Sequence, residues 1–582
     1  MSSNQLVRLE SFLFTRVKYW NEPRSLYWLL ATIFCGVLYP CLGLAKIQGI
    51  EYVVQDDARQ HIFWMARFID PELFPDDLIA DYFQNISPIG FSSLFKLLSI
   101  FSLDPIQASI FIPILLSILV SFGAFLFSFE LLAIPSASFI STTIFNQNLW
   151  TQDGLTSSTA RAFLIPIFVF FLWGVVRKSF FFSYLPLILL GFFYPSYVLV
   201  ASGILVLQCF AIKDKKIRIN QNKSDLLLSI IGLIIAFFLL LPHALDASEF
   251  GPIVTYLEAK ELPAFQENGR TEFFQADFWT YIFDGSRSGI RISSILMPQI
   301  TYIFFLFPII TRFKKTFSLV QDIKNIYIIN QLFITGSALF IFAHIILFKL
   351  YLPSRYTLHS FRLSVSLLSG IVVFVLLQKF FELLKFISLQ KSQKLIAIPI
   401  VILVAFIILV EPIIDKDFPY TGYSIGKHSS LYEFLQDTPK ETLNLSLLRE
   451  NDSLPSFTKR SIYAGREYGI PYHTGYYSRF RKRTKEMIAA HFTTKLNELQ
   501  FFIRQSSVDY WIVNNQVFTA AFLENNNWLN QFQPETNQAI ATLKSSTQPI
   551  ALQELQEECT VFTDKDLSLI DSHCILQAEL KD

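Results

Sequence analysis

Long apolar runs recur along this chain, separated by short polar segments. A helix needs about 20 apolar residues to cross hydrocarbon. Such runs fall near 26–45, 106–132, 135–150, 162–176, 180–194, 195–212, 226–242, 293–311, 326–348, 357–378 and 394–410. The pattern predicts an α-helical polytopic membrane protein with about 11 transmembrane helices. Runs 135–150 and 180–194 are short for a span. The segment 89–103 (IGFSSLFKLLSIFSL) carries Lys96 and is expected to lie in the interface instead of crossing. Tyr194-Pro195-Ser196 interrupts a continuous apolar stretch, and proline lacks the donor a helix needs there, so two short helices meeting at a turn are expected.

From about residue 412 the pattern changes to shorter periods. SSLYEFLQDTP (429–439) reads as a helix stopped by Pro439, and LNLSLL (443–448) and VDYWIVNN (508–515) read as strands. Residues 479–506 read as helical, broken near His491-Phe492. Helix-then-strand alternation predicts a small α/β domain with a partly parallel sheet. The division is therefore a membrane domain, 1–411, and a polar α/β domain, 412–582.

Composition agrees: hydrophobic residues are 52% and charged residues 16%, far from an ordinary soluble domain. Net charge is +1, so no nucleic acid or other bulk polyanion is implied as a partner. The placement of charge is more informative than its sum. Arg8, Arg16, Lys18 and Arg24, then Arg177-Lys178, Lys213 to Arg218, Arg312 to Lys315 and Lys379 to Lys394, all fall on one side when the spans are counted. The positive-inside rule puts that side in the cytoplasm, giving N-in/C-out. The long first loop 46–88, the loop 243–291 and the C-terminal domain then face outward, and the first run, Leu26 to Ala45, is expected to stay as an anchor. Cys35, Cys41 and Cys209 lie in apolar runs and read as packing residues. Cys559 and Cys574 bracket an expected terminal hairpin, either as a disulfide or as two free thiols.

The first loop carries Asp56-Asp57, followed by Arg59 and His61. Adjacent carboxylates beside a membrane can hold a divalent cation such as Mg or Mn, or supply a general base; a solvated acidic loop is the plain alternative. Asp76, Asp77 and Asp81 follow Pro75 and suit a helix start, with Asp77 also a candidate to line a cavity. Arg161, Arg270, Arg287, Arg291, Arg355 and Arg362 lie at outer helix ends or in outer loops, against the orientation rule. Arginine there can grip phosphate through paired donors, or pair with the acidic loop. Tyr356 closes the turn PSRY. Tyr472-His473 and Tyr476-Tyr477 form an aromatic patch that either stacks on sugar or is ordinary surface; His243, His359 and His473 are not spaced as a metal set, and His344, within a span, reads as a hydrogen-bonded interior histidine. Nucleophile elbow, HExxH, CxxC and Gly-rich phosphate loop are all absent from the sequence.

An acidic pair in the first outer loop, many spans, arginines at outer loops and a polar C-terminal domain together resemble the polytopic GT-C membrane glycosyltransferases. That superfamily includes protein mannosyltransferases, aminoarabinose transferases and oligosaccharyltransferases. At residue level the resemblance covers Asp56-Asp57, similar to the family's first-loop acidic motif, and PSRY, similar to an Arg-bearing outer helix end. The tail lacks the WWDYG signature of oligosaccharyltransferases, which argues against Asn glycosylation. The resemblance implies a polyprenyl-phosphate sugar donor and a lipid, glycan or protein acceptor, in the inner membrane of a bacterium. It implies Asp56 or Asp57 as base and Arg355, with Arg362 or Arg291, on the lipid phosphate, no cofactor being certain. Two other classes fit the same pattern: a transporter or flippase of lipid-linked saccharides, and a non-catalytic membrane protein that binds envelope glycans. A transporter should carry ionisable groups at the midplane of its spans, where most of these runs have none.

Overall fold

The computed structural model describes residues 3–213, 216–245, 248–386, 392–545 and 548–579. Asp214, Lys215 and Lys391 of the basic clusters lie outside the described residues. Among the described residues five helices are long and apolar enough, by length and composition, to cross a membrane: Pro23–Ala45, Pro105–Leu131, Lys223–Leu245, Tyr327–Ile345 and Pro353–Leu383. The expectation of about 11 full spans is not met by length. Of the other six runs, all helical, five are short or broken, each with a local cause. Leu164–Val176 and Phe180–Phe193 are separate short helices. Tyr194 leaves helical geometry, Pro195–Tyr197 forms a 3-10 turn, and Val198–Gln208 continues as a second helix. Residues 293–311 divide into Ile292–Ile295, a 3-10 stretch Gln299–Leu306 and Phe307–Arg312. Ser392–Val410 is a continuous helix as long as Tyr327–Ile345, with Pro399 within it. The interfacial candidate forms the helix Ile89–Ser99, with Ile89 and Leu97 exposed on one face and Phe91 and Phe95 buried on the other.

The sixth is Pro135–Trp150, a buried helix rich in Ser, Thr, Asn and Gln. Such polar side chains act as glue between helices in an apolar setting. Asn146 donates to Ser121 Oγ at 2.8 Å, and Gln147 donates to the carbonyl of Ile408 at 2.5 Å. Asn148 donates to the carbonyl of Ile295 at 3.0 Å. Small residues let the neighbours close in: a Cβ on Gly370 would fall 2.2 Å from the Ser141 backbone. This helix therefore locks Pro353–Phe386 in place and fixes the segment 292–298 beside it.

The bundle has two distinct ends. At one, Val17 donates to Ala133 O (3.2 Å), Lys324 N to Leu131 O (2.8 Å), Lys178 pairs with Asp225 (2.7 Å), and Arg16 pairs with Asp322. At the other, Lys46 Nζ donates to Asp417 O (2.9 Å), Tyr420 N to Trp150 O (2.9 Å) and Val254 N to Tyr472 O (2.9 Å). The acidic first loop, the loop 243–291 and the C-terminal region thus share one end, and the N-terminal basic segment lies at the opposite one.

The C-terminal region contains a five-stranded sheet in the order Ser461–Ile462, Leu443–Leu445, Tyr510–Val513, Leu567–Asp571, Thr560–Asp564. Leu443–Leu445 pairs in parallel with both its neighbours, and the last two strands form an antiparallel hairpin. Helices Ser429–Gln436, Thr474–His491 and Leu496–Ser506 fall where the sequence pattern placed them, with the break after His491. Cys559 and Cys574 bracket the hairpin and are joined by a disulfide, Cα to Cα 5.4 Å.

Candidate active site

The site begins with a two-stranded ribbon. Val53–Gln55 pairs antiparallel with Tyr423–Ile425, so the first loop is stitched to the start of the C-terminal region. Gln55 is buried and turns the chain: its Oε1 accepts from Asp57 N (2.8 Å) and Ala58 N (3.1 Å). Asp56 N donates to Gly422 O at 2.9 Å, and Gly422 has φ of +63°, a backbone state glycine adopts without strain. The two acids then go separate ways. Asp56 pairs with Arg59 (2.5 Å), while Asp57 pairs with Arg161 (2.5 Å).

Arg161 also reaches Asp153 at 3.4 Å, and Gln55 Nε2 donates to Asp153 at 3.3 Å. Asp153 was not among the residues singled out from sequence; the signal for it was its place as the lone acid in the outer loop TQDGLTSSTA. Burial works against ionising Asp57, but Arg161, then His61, Arg355 and Arg270, outweigh it, and its carboxyl sits below the ordinary value. Asp56 is shifted up by burial and by Glu467, with Arg59 opposing. Asp153 is shifted up by burial, with Asp57 and Asp56 adding to it and Arg161 opposing. Burial pushes His61 down to about 4 despite Asp57, so the imidazole is neutral at pH 7. Asp57 is thus the carboxylate of the set whose pKa is lowered, and the His61 imidazole near it is neutral.

The arginines differ sharply from one another. Arg59 and Arg270 both bind Glu467, whose side chain is 3% exposed; the Arg59 contact is 3.0 Å. Glu467 N donates to Asp452 (3.0 Å), and Tyr468 OH donates to Arg59 O (3.1 Å). Arg59 and Arg270 are therefore struts that fasten both outer loops to the C-terminal region, the pairing role and not the phosphate role. Sequence spacing held no hint of Glu467.

Arg355 lies in the first turn of Pro353–Phe386 and Arg362 two turns on. Ser354 N donates to Arg287 O (3.2 Å) and Ser354 Oγ to Ser286 O (3.1 Å), tying that helix start to the loop 284–291. Arg291 is left-handed (φ 72°), and its Nη1 donates to Asp284 O at 3.3 Å. Burial and then repulsion from Arg355 lower its pKa. Arg362 donates to Gln152 Oε1 at 2.5 Å, and Arg287 to Glu272 O at 3.4 Å. Among the described residues, none of Arg287, Arg291, Arg355 and Arg362 has an ion pair with a carboxylate within 4.0 Å. The Nε atoms of Arg355 and Arg362 are buried with no hydrogen-bond partner. These guanidiniums form a cationic cluster whose nearest protein carboxylates act on it through space and not by direct pairing. Its field reaches both Asp57 and Asp153, to which Arg355 contributes directly.

Other candidates have structural work. Asp77 caps the helix Leu78–Asn85, accepting from Ile79 N (2.7 Å) and Ala80 N (2.9 Å), so it is a helix start and not part of the Asp57 cluster. Tyr356 is buried and donates to Leu350 O at 2.6 Å. Tyr476 is buried and stacks on Tyr82 at 3.6 Å, and Tyr477 is also buried, so these two are packing residues and not a sugar platform. His473 Nδ1 meets Tyr82 OH at 3.0 Å. His359 is buried beside Tyr197. Among the described residues no group of three or more His, Cys, Asp and Glu gathers to hold a metal ion. The donor set suits a guanidinium better than a divalent cation, since Arg161 already spans Asp57 and Asp153. A cavity of about 570 Å³ lies away from the paired acids, against the helix Thr474–His491.

No family model matches this sequence, and none of the curated proteins matches it. Among solved structures, the chain is similar to the Archaeoglobus fulgidus oligosaccharyltransferase in the apo form, with TM-score 0.47 and 11% identity over 87% of this chain and 72% of that one. It is similar to the archaeal oligosaccharyltransferase AglB from Archaeoglobus fulgidus in complex with an inhibitory peptide and a dolichol-phosphate, with TM-score 0.44 and 11% identity over 88% and 72%. A third is the Archaeoglobus fulgidus oligosaccharyltransferase complex with Zn and sulfate, with TM-score 0.45 and 11% identity over 88% and 70%.

Proposed function

We propose that this chain is a GT-C-type membrane glycosyltransferase that moves a sugar from a polyprenyl-phosphate-linked donor to an acceptor hydroxyl. The observation that carries this reading is an ionised Asp57 within the electrostatic reach of Arg355, which, like Arg291 and Arg362, has no ion pair with a carboxylate within 4.0 Å among the described residues. Such a pair of features serves a reaction in which an oxygen loses a proton while a phosphate gains charge. The acceptor oxygen attacks the sugar carbon, the carbon–oxygen bond to phosphate breaks, and its electron pair stays on the phosphate. Asp57 takes the proton; Arg355, assisted by Arg291 and Arg362, stabilises the leaving phosphate. Attack from the face opposite the leaving group inverts the sugar carbon. Removing one such donor typically costs about 100-fold or more in rate. Arg161 and Asp153 hold the base, and His61, neutral, lies beside it without competing for charge.

The end that bears the site is read as extracytoplasmic and the basic end as cytoplasmic, by the positive-inside rule. The membrane domain 1–411 supplies the site and the region 412–582 closes over it through the Tyr423–Ile425 ribbon. The test uses the full chain in lipid nanodiscs with a panel of polyprenyl-phosphate-linked sugars, following release of free polyprenyl phosphate by mass spectrometry. Acceptor-dependent release that disappears in Asp57→Asn supports the reading. Release unchanged in that variant removes Asp57 as the base, and no release from any donor removes the reading.

A further inference from the structure

The helix Thr474–His491 carries the run RFRKRTK, in which Arg479, Arg481, Lys482, Arg483 and Lys485 fall within seven positions, 479–485. Its apolar face, including Phe480, Met487 and Ile488, is buried in the C-terminal region. Its basic face borders two cavities, about 570 Å³ and about 430 Å³, which share Lys482 and Glu486. Together they make a groove along one side of the helix. Arg479 and Arg483 line the larger cavity, and Arg481 and Lys485 the smaller.

The charges in this groove are only partly matched. Asp81 is taken by Arg67 at 2.8 Å, Glu486 by Lys482 at 3.7 Å, and Lys485 by Glu535 at 2.9 Å. Arg479, Arg481 and Arg483 have no carboxylate partner among the described residues. Asp76 and Glu249 remain as acceptors in the same wall.

We propose that this groove binds an acid-bearing saccharide chain, such as a uronic-acid oligosaccharide. Three features select that occupant. The unpaired guanidiniums offer paired donors to a carboxylate. The interleaved Asp76 and Glu249 can accept from hydroxyls, which a saccharide carries between its carboxylates and which polyphosphate lacks along its chain. A peptide would be anchored by apolar side chains in pockets. Here the aromatic faces are already covered, Arg479 over Phe250 at 5.1 Å and Arg483 over Tyr463 at 5.2 Å. The proposal goes beyond the catalytic reading and does not depend on how Asp57 acts.

The test is binding of oligogalacturonate to the full chain in nanodiscs, against maltohexaose, a Glu-rich peptide and polyphosphate. Oligogalacturonate is expected to bind and to weaken as salt is raised. The double variant Arg479→Gln/Arg483→Gln should lower affinity about tenfold or more, the size expected for losing contacts to charged groups. Arg481→Gln, whose side chain covers no ring, should weaken it less but measurably, with thermal unfolding unchanged. Lys544→Gln, on another helix, should change nothing. Asp57→Asn should abolish transfer and leave this binding intact, which separates the two proposals. Equal binding of maltohexaose, preference for the peptide or polyphosphate, or indifference to both arginine variants would overturn the groove's assignment.

Discussion

The two sets of arginines at the loop-bearing end make an instructive contrast. Arg59, Arg161 and Arg270 each sit on at least one carboxylate: Asp56 and Glu467, Asp57 and Asp153, and Glu467. Among the described residues, Arg287, Arg291 and Arg362 donate to neutral partners, and neither they nor Arg355 form an ion pair with a carboxylate within 4.0 Å. Taking a guanidinium from water is costly unless an anion compensates it. The first set is compensated within the chain and builds structure. On the proposed reading the second set serves an anion from outside, and Arg355 of that set lies within the field of Asp57, whose pKa is lowered. Residue type alone does not distinguish the two sets; pairing does.

Four changes break or sharpen that contrast. The largest effect is expected for Asp57→Asn, with transfer falling about 100- to 10,000-fold, as for loss of a general base. Its thermal unfolding should move little, because Arg161 keeps Asp153. Glu467→Gln should do the reverse. It leaves Arg270 facing a neutral amide with no carboxylate and Arg59 with Asp56 alone, and about 3–5 kcal/mol of stability should be lost, read as a lower unfolding temperature in detergent. Arg355→Gln is expected to lower turnover about 100-fold with an unfolding temperature near that of the parent, because no ion pair is broken. The smallest effect belongs to Asp77→Ala. Loss of its cap to Ile79 N and Ala80 N should cost about 1 kcal/mol and leave turnover unchanged, whereas a role in the reacting cavity would lower turnover.

Linkage gives these pairs opposite pH signs. Asp57 has a lowered folded pKa, so the stability it contributes is present above the ordinary carboxylate value of about 4 and is lost as pH falls through its folded value. Asp56 and Asp153 have raised folded values, so they disfavour the fold as pH rises from that ordinary value through their own.

Much of the architecture was legible in the sequence because apolar length and short-range period are local properties. The C-terminal helix break at His491 and the hairpin between Cys559 and Cys574 were read correctly from pattern alone. Span length was less legible: Pro135–Trp150 is buried among helices through its Ser, Thr, Asn and Gln side chains, which a hydropathy window cannot tell from a weak span. Candidate arginines were legible as types in unusual places. Their division into struts and free cations was not, because Glu467 meets Arg59 across 408 positions, and Arg161 meets Asp57 across 104. Asp153 escaped notice for the same reason: its meaning comes from Gln55 and Arg161, which only folding brings beside it.

The central claim is that Asp57 and Arg355 act on the same reacting centre. The most direct test is the pH dependence of kcat/KM in the parent and in Arg355→Gln, since that ratio reports groups of the free enzyme. The parent should lose activity in acid only below the ordinary carboxylate value of about 4, and the variant's acid limb should move up toward that value as the arginine's field is withdrawn. An acid limb that stays in place when Arg355 is removed would show that the two residues serve separate regions.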